Sequence, residues 1–594
     1  MRAQHPHDRV PSPRRALLVY PEIPPTYWSF TYTLPFIGKK ASLPPLGLLT
    51  VAALLPREWS LRVVDMNVEP LDDGTIRDAD LVFVSAMLIQ KASFDAVVRR
   101  CNALGVPVVA GGPYPTECHA SIAGVDHFVL NEAEVTLPRF LEDLEAGTPG
   151  PLYQSEERPD LAGTPFPRYD LLKRGAYSAL ALQFSRGCPF DCEFCDIVPL
   201  FGRTARVKSN AQMLGEFDLL YGLGWRGGLF LVDDNFIGNR RQVLPLLADM
   251  ARWQERHGYP FSLFTEVSID FALDDALLAL AKRAGFTMVF VGIETPDTAT
   301  LACIGKRQNT REDMLESVKR IQRNGIEVSG GFIVGFDSDT GDIFDRQIAF
   351  IKKSGIVQAM VGLLTVLPTT RLHKRLEAEG RAVSESGGNN THGLELNYEP
   401  RMDRTELLNG YKRILRSIYA PRAYFARCLT HLRQVKPNRK AALKVRWTEL
   451  RAGWRSFTRQ PFSFYGFHYL MYIAQALAVK PRMLPEAVTL AVKGHHFFTM
   501  TRGILAVDAL KERAERARAV YAERIERARA SLDPSRAALE LGKYKARLLR
   551  DAQRRVRRLD HDFRRMGEEI LAGLEEFLDA SYRRAACAVK KGRD

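Results

Sequence analysis

FSRGCPFDCEFCD, residues 184–196, sets Cys188, Cys192 and Cys195 at a CxxxCxxC spacing inside one short loop. Iron–sulfur clusters and structural zinc both usually take four protein ligands. The loop is one ligand short, and no second CxxC or HxxxH pair follows to complete a zinc site. It is preceded by the apolar run ALALQFS (179–185). Five more runs follow: GLFLVDD (228–234), FSLFTEV (261–267), MVFVGIE (288–294), VSGGFIVG (328–335) and AMVGLLTVLP (359–368). Helical stretches such as DDALLALAKRAG and REDMLESVKRIQRNG separate them. Six βα units in a row predict an α/β fold, a full or partial barrel. Barrel active sites gather at the C-terminal strand ends, where the cysteine loop stands.

A second alternating unit spans 16–150, with apolar runs ALLVY (16–20), LRVVD (61–65), LVFVSA (81–86), VPVVAGG (106–112) and HFVLNE (127–132). This order predicts a doubly wound, Rossmann-like parallel sheet whose ligand lies at the carboxyl ends of the strands. Those ends carry Ser85, the Gly111–Gly112–Pro113 turn and Asn131–Glu132, with glycines that let a ligand approach the backbone. Residues 1–15 are polar and expected to be disordered. Residues 151–176 are Pro-rich and read as a linker, and 177–400 as the barrel. The strand signal fades after Pro400, leaving mostly helical residues 401–505 and a basic helical tail, 506–594, with a break at Asp533–Pro534.

Eight cysteines in 594 residues, three of them clustered, point to a metal in a reducing compartment rather than to a disulfide framework. MRAQHPHDRVPSPRR lacks the apolar core of a secretory signal, and no apolar run reaches the ~20 residues of a spanning helix. A cytoplasmic chain is expected. Net charge is +15, and its excess lies toward the C-terminus: from Asp508 onward 23 Lys/Arg face 16 Asp/Glu. Residues 439–459 mix basic side chains with Leu443, Trp447, Leu450, Trp454 and Phe457. Such a segment suits an anionic membrane surface at the inner face. Its bland alternative is an ordinary packed helix. The tail arginines lack the interleaved aromatics of a nucleic-acid platform, so nucleic acid is not an expected partner. His495–His496 reads as structural, as do the scattered Cys101, Cys118, Cys303, Cys428 and Cys587.

Three thiolates in one loop suit a 4Fe–4S cluster whose fourth iron stays open. An outside ligand chelating through an amine and a carboxylate can take that position, and S-adenosylmethionine carries such a group. With aromatic Phe194 before the last cysteine, the loop resembles the signature of the radical S-adenosylmethionine superfamily. The resemblance implies that Cys188, Cys192 and Cys195 hold the cluster. It also implies S-adenosylmethionine contacts at Phe194, at Asp233, Asp234 and Asn235 for the amino group, at Glu266 and Ser268 for the ribose, and at Gly292-Ile293-Glu294 and GGFIVG beside the adenine. PPLGLLTVAALLP (44–56), GGPYPTE (111–117) and NEAEVTLPRFLEDLE (131–145) resemble the cobalamin-binding domain found in one branch of that superfamily. The DxHxxG motif is absent, which implies cobalamin held without a protein histidine ligand, at Ser85, Gly111, Gly112, Pro113, Asn131 and Glu132. NGYKRILRSIYAPRAYFAR (409–427) resembles the C-terminal extension of a subgroup that includes the hopanoid C-2 methylase.

The function this implies is a class B-like C-methyltransferase. One S-adenosylmethionine supplies a methyl group to cobalamin, a second is cleaved to a radical, and the acceptor is an unactivated carbon of an apolar, hopanoid-type lipid or another small molecule. An electron donor such as a flavodoxin or ferredoxin is implied with it. The alternative is a ring-forming or oxidative reaction without net methylation. An electron-transfer or carrier protein would cleave no S-adenosylmethionine, and a lipid-binding module would leave the cysteine loop idle.

Overall fold

Val-, Leu- and Ile-rich runs with no polar alternation belong in sheets covered on both faces. In the computed structural model, which describes residues 14–384, 386–388, 394–435, 447–529 and 534–591, they build two six-stranded parallel sheets. The first contains β1 (Arg15–Tyr20), β2 (Ser60–Asp65), β3 (Leu81–Ser85), β4 (Val108–Gly111), β5 (His127–Val129) and β6 (Leu152–Tyr153), in the order β2-β1-β3-β4-β5-β6. The strand order reverses between β1 and β3, which opens a crevice beyond their carboxyl ends. Residues 151–176, read as a linker, begin with the edge strand β6.

The second sheet follows β7 (Ala179–Leu182). A two-residue ladder, β8 (Ser185–Arg186) with β9 (Arg206–Val207), intervenes before β10 (Gly228–Leu231), β11 (Ser262–Val267), β12 (Phe286–Glu294), β13 (Glu327–Val334) and β14 (Ala359–Leu363). The order β7-β10-β11-β12-β13-β14 is a partial (β/α)6 barrel, with helices between all its strands and a sixth, Arg371–Ala378, after β14. Local chemistry sets these helices. Asp274 accepts from Leu277 N–H at the start of Asp275–Ala284, and Gly285 ends that helix at φ 97°.

An open barrel leaves two edge strands with unpaired carbonyls. Tyr411 and Tyr419, on the helix Arg404–Ile418 and at its end, donate to Val361 O at 3.0 Å and Ala359 O at 2.6 Å on the β14 edge. Tyr169 donates to Ala181 O at 2.8 Å on the β7 edge, and Ser42 O receives Ala179 N–H at 3.0 Å. The helical extension and the supposed linker thus seal the barrel. No described helix is long and apolar enough to cross a membrane.

The chain divides into two units, 1–496 and 497–594. The second has its own core, where Tyr521, Leu541, Leu574 and Leu578 pack among three helices. His495 Nδ1 meets Tyr465 OH at 2.7 Å and His496 Nε2 meets Tyr27 O at 3.1 Å, both structural contacts. Leu443 and the basic residues Arg439, Lys440, Lys444 and Arg446 lie outside the described residues, as does the side chain of Trp447.

Candidate active site

The β8–β9 ladder pinches the base of the cysteine loop, and the loop is held from both sides. Gly187 sits at φ 95°, and a Cβ there would lie 2.7 Å from Thr204 O. Cys188 N–H donates to Gly202 O at 3.2 Å, and Glu193 N–H to Ile304 O at 2.9 Å. The Glu193 carboxylate takes Arg375 Nε at 2.5 Å, and Arg371 donates to Asp191 O at 2.7 Å, both arginines from the helix after β14. All three thiols are partly buried and free of disulfides.

The Phe190 N–H, the Gln308 side chain and the Ile197 N–H act on Cys188, Cys192 and Cys195 in turn and favour the thiolate forms. Burial pushes the three thiols up, and these donors oppose it. Hydrogen bonds to sulfur stabilise thiolate ligands and tune a cluster's potential. Among the described residues no three His, Cys, Asp or Glu side chains converge on one metal-ion position. Cluster thiolates instead each take their own iron. The donor set fits a 4Fe–4S cluster.

Beyond the loop, the strand ends form an acidic rim. Asp233 is spent on the loop itself: it accepts from Phe184 N–H at 3.2 Å, from Ser185 N–H, and from Ser185 Oγ at 2.5 Å. Asp234 accepts from Gly187 N–H at 2.9 Å. Asn235 and Ser268 are bonded to each other, with Nδ2 to Oγ at 3.2 Å and Ser268 N–H to Oδ1 at 3.2 Å. Burial raises Asp233 and Glu266 to about 7 and Asp234 to about 6, with repulsion from Asp234 adding to the first two and from Asp196 to the third. Glu294, held at φ 62° after a bulge in β12, pairs with Lys306. Gly292 makes the room: a Cβ there would stand 2.5 Å from Lys306 Nζ. Phe194 lies 6.0 Å from the same ammonium. An acid-rich rim beside the Lys306 ammonium fits a ligand that carries an ammonium and a sulfonium.

These raised carboxyl groups favour their neutral forms in the folded chain. Their contribution to stability is complete below the unfolded carboxyl pKa of ~4 and is lost as pH rises through about 7. The cofactor-free chain should therefore melt at a lower temperature at pH 8 than at pH 6, and adding S-adenosylmethionine should narrow the gap. Equal melting at both pH values would contradict this.

The first sheet presents its carboxyl ends as expected. Gly112 sits at φ 89°, where a Cβ would lie 2.5 Å from Ser85 Oγ, and a Cβ on Gly111 would lie 2.7 Å from Val129 O. Pro113 opens the next helix, and Asn131 at φ 63° donates its N–H to Thr116 Oγ1 at 3.0 Å. Both glycines are required by the packing of the strand ends themselves, since a side chain on either would run into Val129 O or Ser85 Oγ. Glu132 is occupied elsewhere. It accepts from Arg186 at 2.8 Å and Arg206 at 2.7 Å, the two paired residues of the β8–β9 ladder, while Glu134 takes Arg186 at 2.7 Å. The charge cluster fastens the first sheet to the base of the cysteine loop. Glu132→Ala should cost about 3 kcal/mol, since it leaves the largely buried Arg206 guanidinium without its carboxylate, and should loosen iron retention. Denaturant unfolding and iron assay check this, and an unchanged midpoint would refute it.

Sequence reading missed Lys306, Gln308 and the Glu132–Arg186–Arg206 cluster. It also missed Glu117, raised to about 8 by burial and by Asp196, and bonded to Thr369 Oγ1 at 3.3 Å. The only available signal was local: IGKRQN (304–309) places a lysine and two amides just beyond a strand end.

Comparison with known proteins matches three family models: the B12 binding domain over residues 40–141, the Radical SAM superfamily over 182–351, and a domain of unknown function, DUF4070, over 370–508. An uncharacterized methyltransferase of Synechocystis sp. is 40% identical over 493 residues, 81% of this chain and 91% of that protein. The hopanoid C-2 methylase of Rhodopseudomonas palustris is 35% identical over 419 residues, 70% of this chain and 78% of that protein. The structure of the cobalamin-dependent S-adenosylmethionine radical enzyme OxsB, with aqua-cobalamin and S-adenosylmethionine bound, superposes with a TM-score of 0.54 at 14% identity, covering 95% of this chain and 84% of that one.

Proposed function

Because the chain belongs to the cobalamin-binding radical S-adenosylmethionine superfamily and is one of its methyltransferases, we propose that its methyl acceptor is an unactivated carbon of an apolar, hopanoid-type lipid. When bound, the 4Fe–4S cluster, S-adenosylmethionine and cobalamin supply the radical and the methyl group. The protein's part is to bind, orient and keep water out. In this reading Cys188, Cys192 and Cys195 hold the cluster. Asp234, Glu266, Glu294, Asn235 and Ser268 receive the cationic and hydroxyl groups of S-adenosylmethionine beside Phe194. Lys306 takes its carboxylate. The turn at Ser85, Gly111, Gly112, Pro113 and Asn131 cradles the corrin.

The observation that carries the substrate class is the inward face of the barrel. Phe332 packs on Phe350 of an outer helix, so Ser329 and Gly331, which alternate with it along β13, point inward. Strand register carries that face across the sheet through Phe290 and Glu266 to Phe264 and Phe230. Phe230 and Phe264 stack at 5.0 Å, and Trp28 meets Phe290 edge-on at 4.9 Å. Below them the Glu327 carboxylate is closed off by Gln358 at 2.8 Å and Lys493 at 3.1 Å. Apart from Glu266 near the strand ends, the named residues of this face offer aromatic rings and a Glu327 already paired, which suits a polycyclic hydrocarbon. The name of the Rhodopseudomonas relative supports the same class. An electron donor such as a flavodoxin or ferredoxin and a position at the inner membrane face belong to this reading.

Expression of the gene followed by mass spectrometry of total lipids tests it. One defined lipid should gain the mass of a methylene group. No lipid change would overturn the lipid acceptor in favour of a soluble one, and a cyclised or oxidised lipid would favour the reaction without net methylation.

A further inference from the structure

The helices Trp447–Arg459 and Gly466–Val479 expose an apolar surface that the fold does not use. Leu450, Trp454 and Phe457 follow one another at helical spacing along the first, and Trp454 is 73% exposed. Phe462, 88% exposed, and Phe464 stand in the turn between the helices. Phe467, Leu470 and Met471 continue along the outer face of the second, whose inner face buries Tyr469, Tyr472 and Ile473. Ser456 Oγ meets Tyr469 OH at 2.9 Å and the half-exposed Phe457 ring lies 6.3 Å from that of Tyr469, so the two helices pack side by side. Contiguous exposed apolar surface marks an interaction site.

The charge pattern decides the partner. No Asp or Glu stands between Glu449 and Glu486, where Arg451, Arg455, Arg459, Lys480 and Arg482 do. Arg455 and Lys480 turn inward to backbone carbonyls of Pro35, Leu432 and Val435. Arg451, Arg459 and Arg482 remain exposed at the helix ends. The second helix has 14 residues, about 21 Å, too short for a ~30 Å hydrocarbon core. Aromatic side chains at the level of the headgroups, flanked by arginine and free of carboxylates, are the pattern of a helix lying in a lipid interface.

We propose that this surface docks the enzyme on an anionic lipid bilayer. The inference goes beyond the proposed reaction and requires neither cofactor nor acceptor. Full-length protein is floated with vesicles of phosphatidylcholine alone or mixed with phosphatidylglycerol. Binding to the mixed vesicles should exceed binding to the neutral ones by about tenfold, falling as salt rises, and Trp454→Ser/Phe467→Ser should reduce it by about tenfold or more. Because both side chains are solvent-exposed, the double variant should melt with the wild type. Arg459→Glu should remove mainly the salt-sensitive part. Failure of the wild type to float with mixed vesicles, or wild-type flotation by the double variant, overturns the proposal. So does a dimer that those substitutions dissociate while no vesicle is bound. Formation of 5′-deoxyadenosine plays no part in this assay, so its outcome stands apart from that of the methyl-transfer reading.

Discussion

Cys192→Ala should reduce the iron of the anaerobically reconstituted protein from about four per chain to a small residue, and 5′-deoxyadenosine formation should fall to the level of the protein-free control. The expectation follows from the loop's construction. The Lys306 ammonium and the Gln308 amide both favour the Cys192 thiolate, and the loop supplies all three thiols. Losing one leaves two ligands. The loop itself should survive, because Gly187, Glu193 and Asp191 hold it through contacts the substitution does not touch. Circular dichroism should match the wild type. Persistent 5′-deoxyadenosine would disprove the cluster assignment.

Lys306→Met should destabilise the chain by about 3–5 kcal/mol, because it strands the Glu294 carboxylate where its side chain is 8% exposed. Glu294 cannot swing out, being fixed at φ 62° and packed over Gly292. Adding Glu294→Gln removes the stranded charge and should restore most of the stability. The double variant should still fail to bind S-adenosylmethionine, since both proposed contacts are gone. Denaturant midpoints and equilibrium dialysis separate the two effects. A single variant as stable as the wild type would show that the pair is not buried in solution.

The strands of both sheets, except the edge strand β6, were legible in the sequence, because parallel strands covered on both faces are written as short continuous apolar runs. ALLVY fell on β1 and MVFVGIE within β12. The cysteine loop and its following strand ends were legible for a different reason: their residues succeed one another in chain order. What escaped was whatever is fastened across distance. Glu132 reaches Arg186 and Arg206 over 54 and 74 positions, and Glu193 reaches Arg375 over 182. No local pattern distinguishes such carboxylates from solvated ones, which is why Glu132 was read with the cobalamin cradle. The same holds for Tyr411 and Tyr419. Their stretch was conspicuous in the sequence, but its purpose appears only when β14 proves to be an edge strand that lacks partners.

The central claim is that one chain both generates a radical and delivers a methyl group to carbon. Its most direct test supplies the reconstituted, cobalamin-loaded enzyme with trideuteromethyl-labelled S-adenosylmethionine, a reductant and a lipid extract. 5′-Deoxyadenosine, S-adenosylhomocysteine and labelled product are then counted in one sample. The account requires the three in equal amounts, with a single intact trideuteromethyl group on one apolar lipid. 5′-Deoxyadenosine accompanied by an unlabelled, cyclised or oxidised product would contradict it.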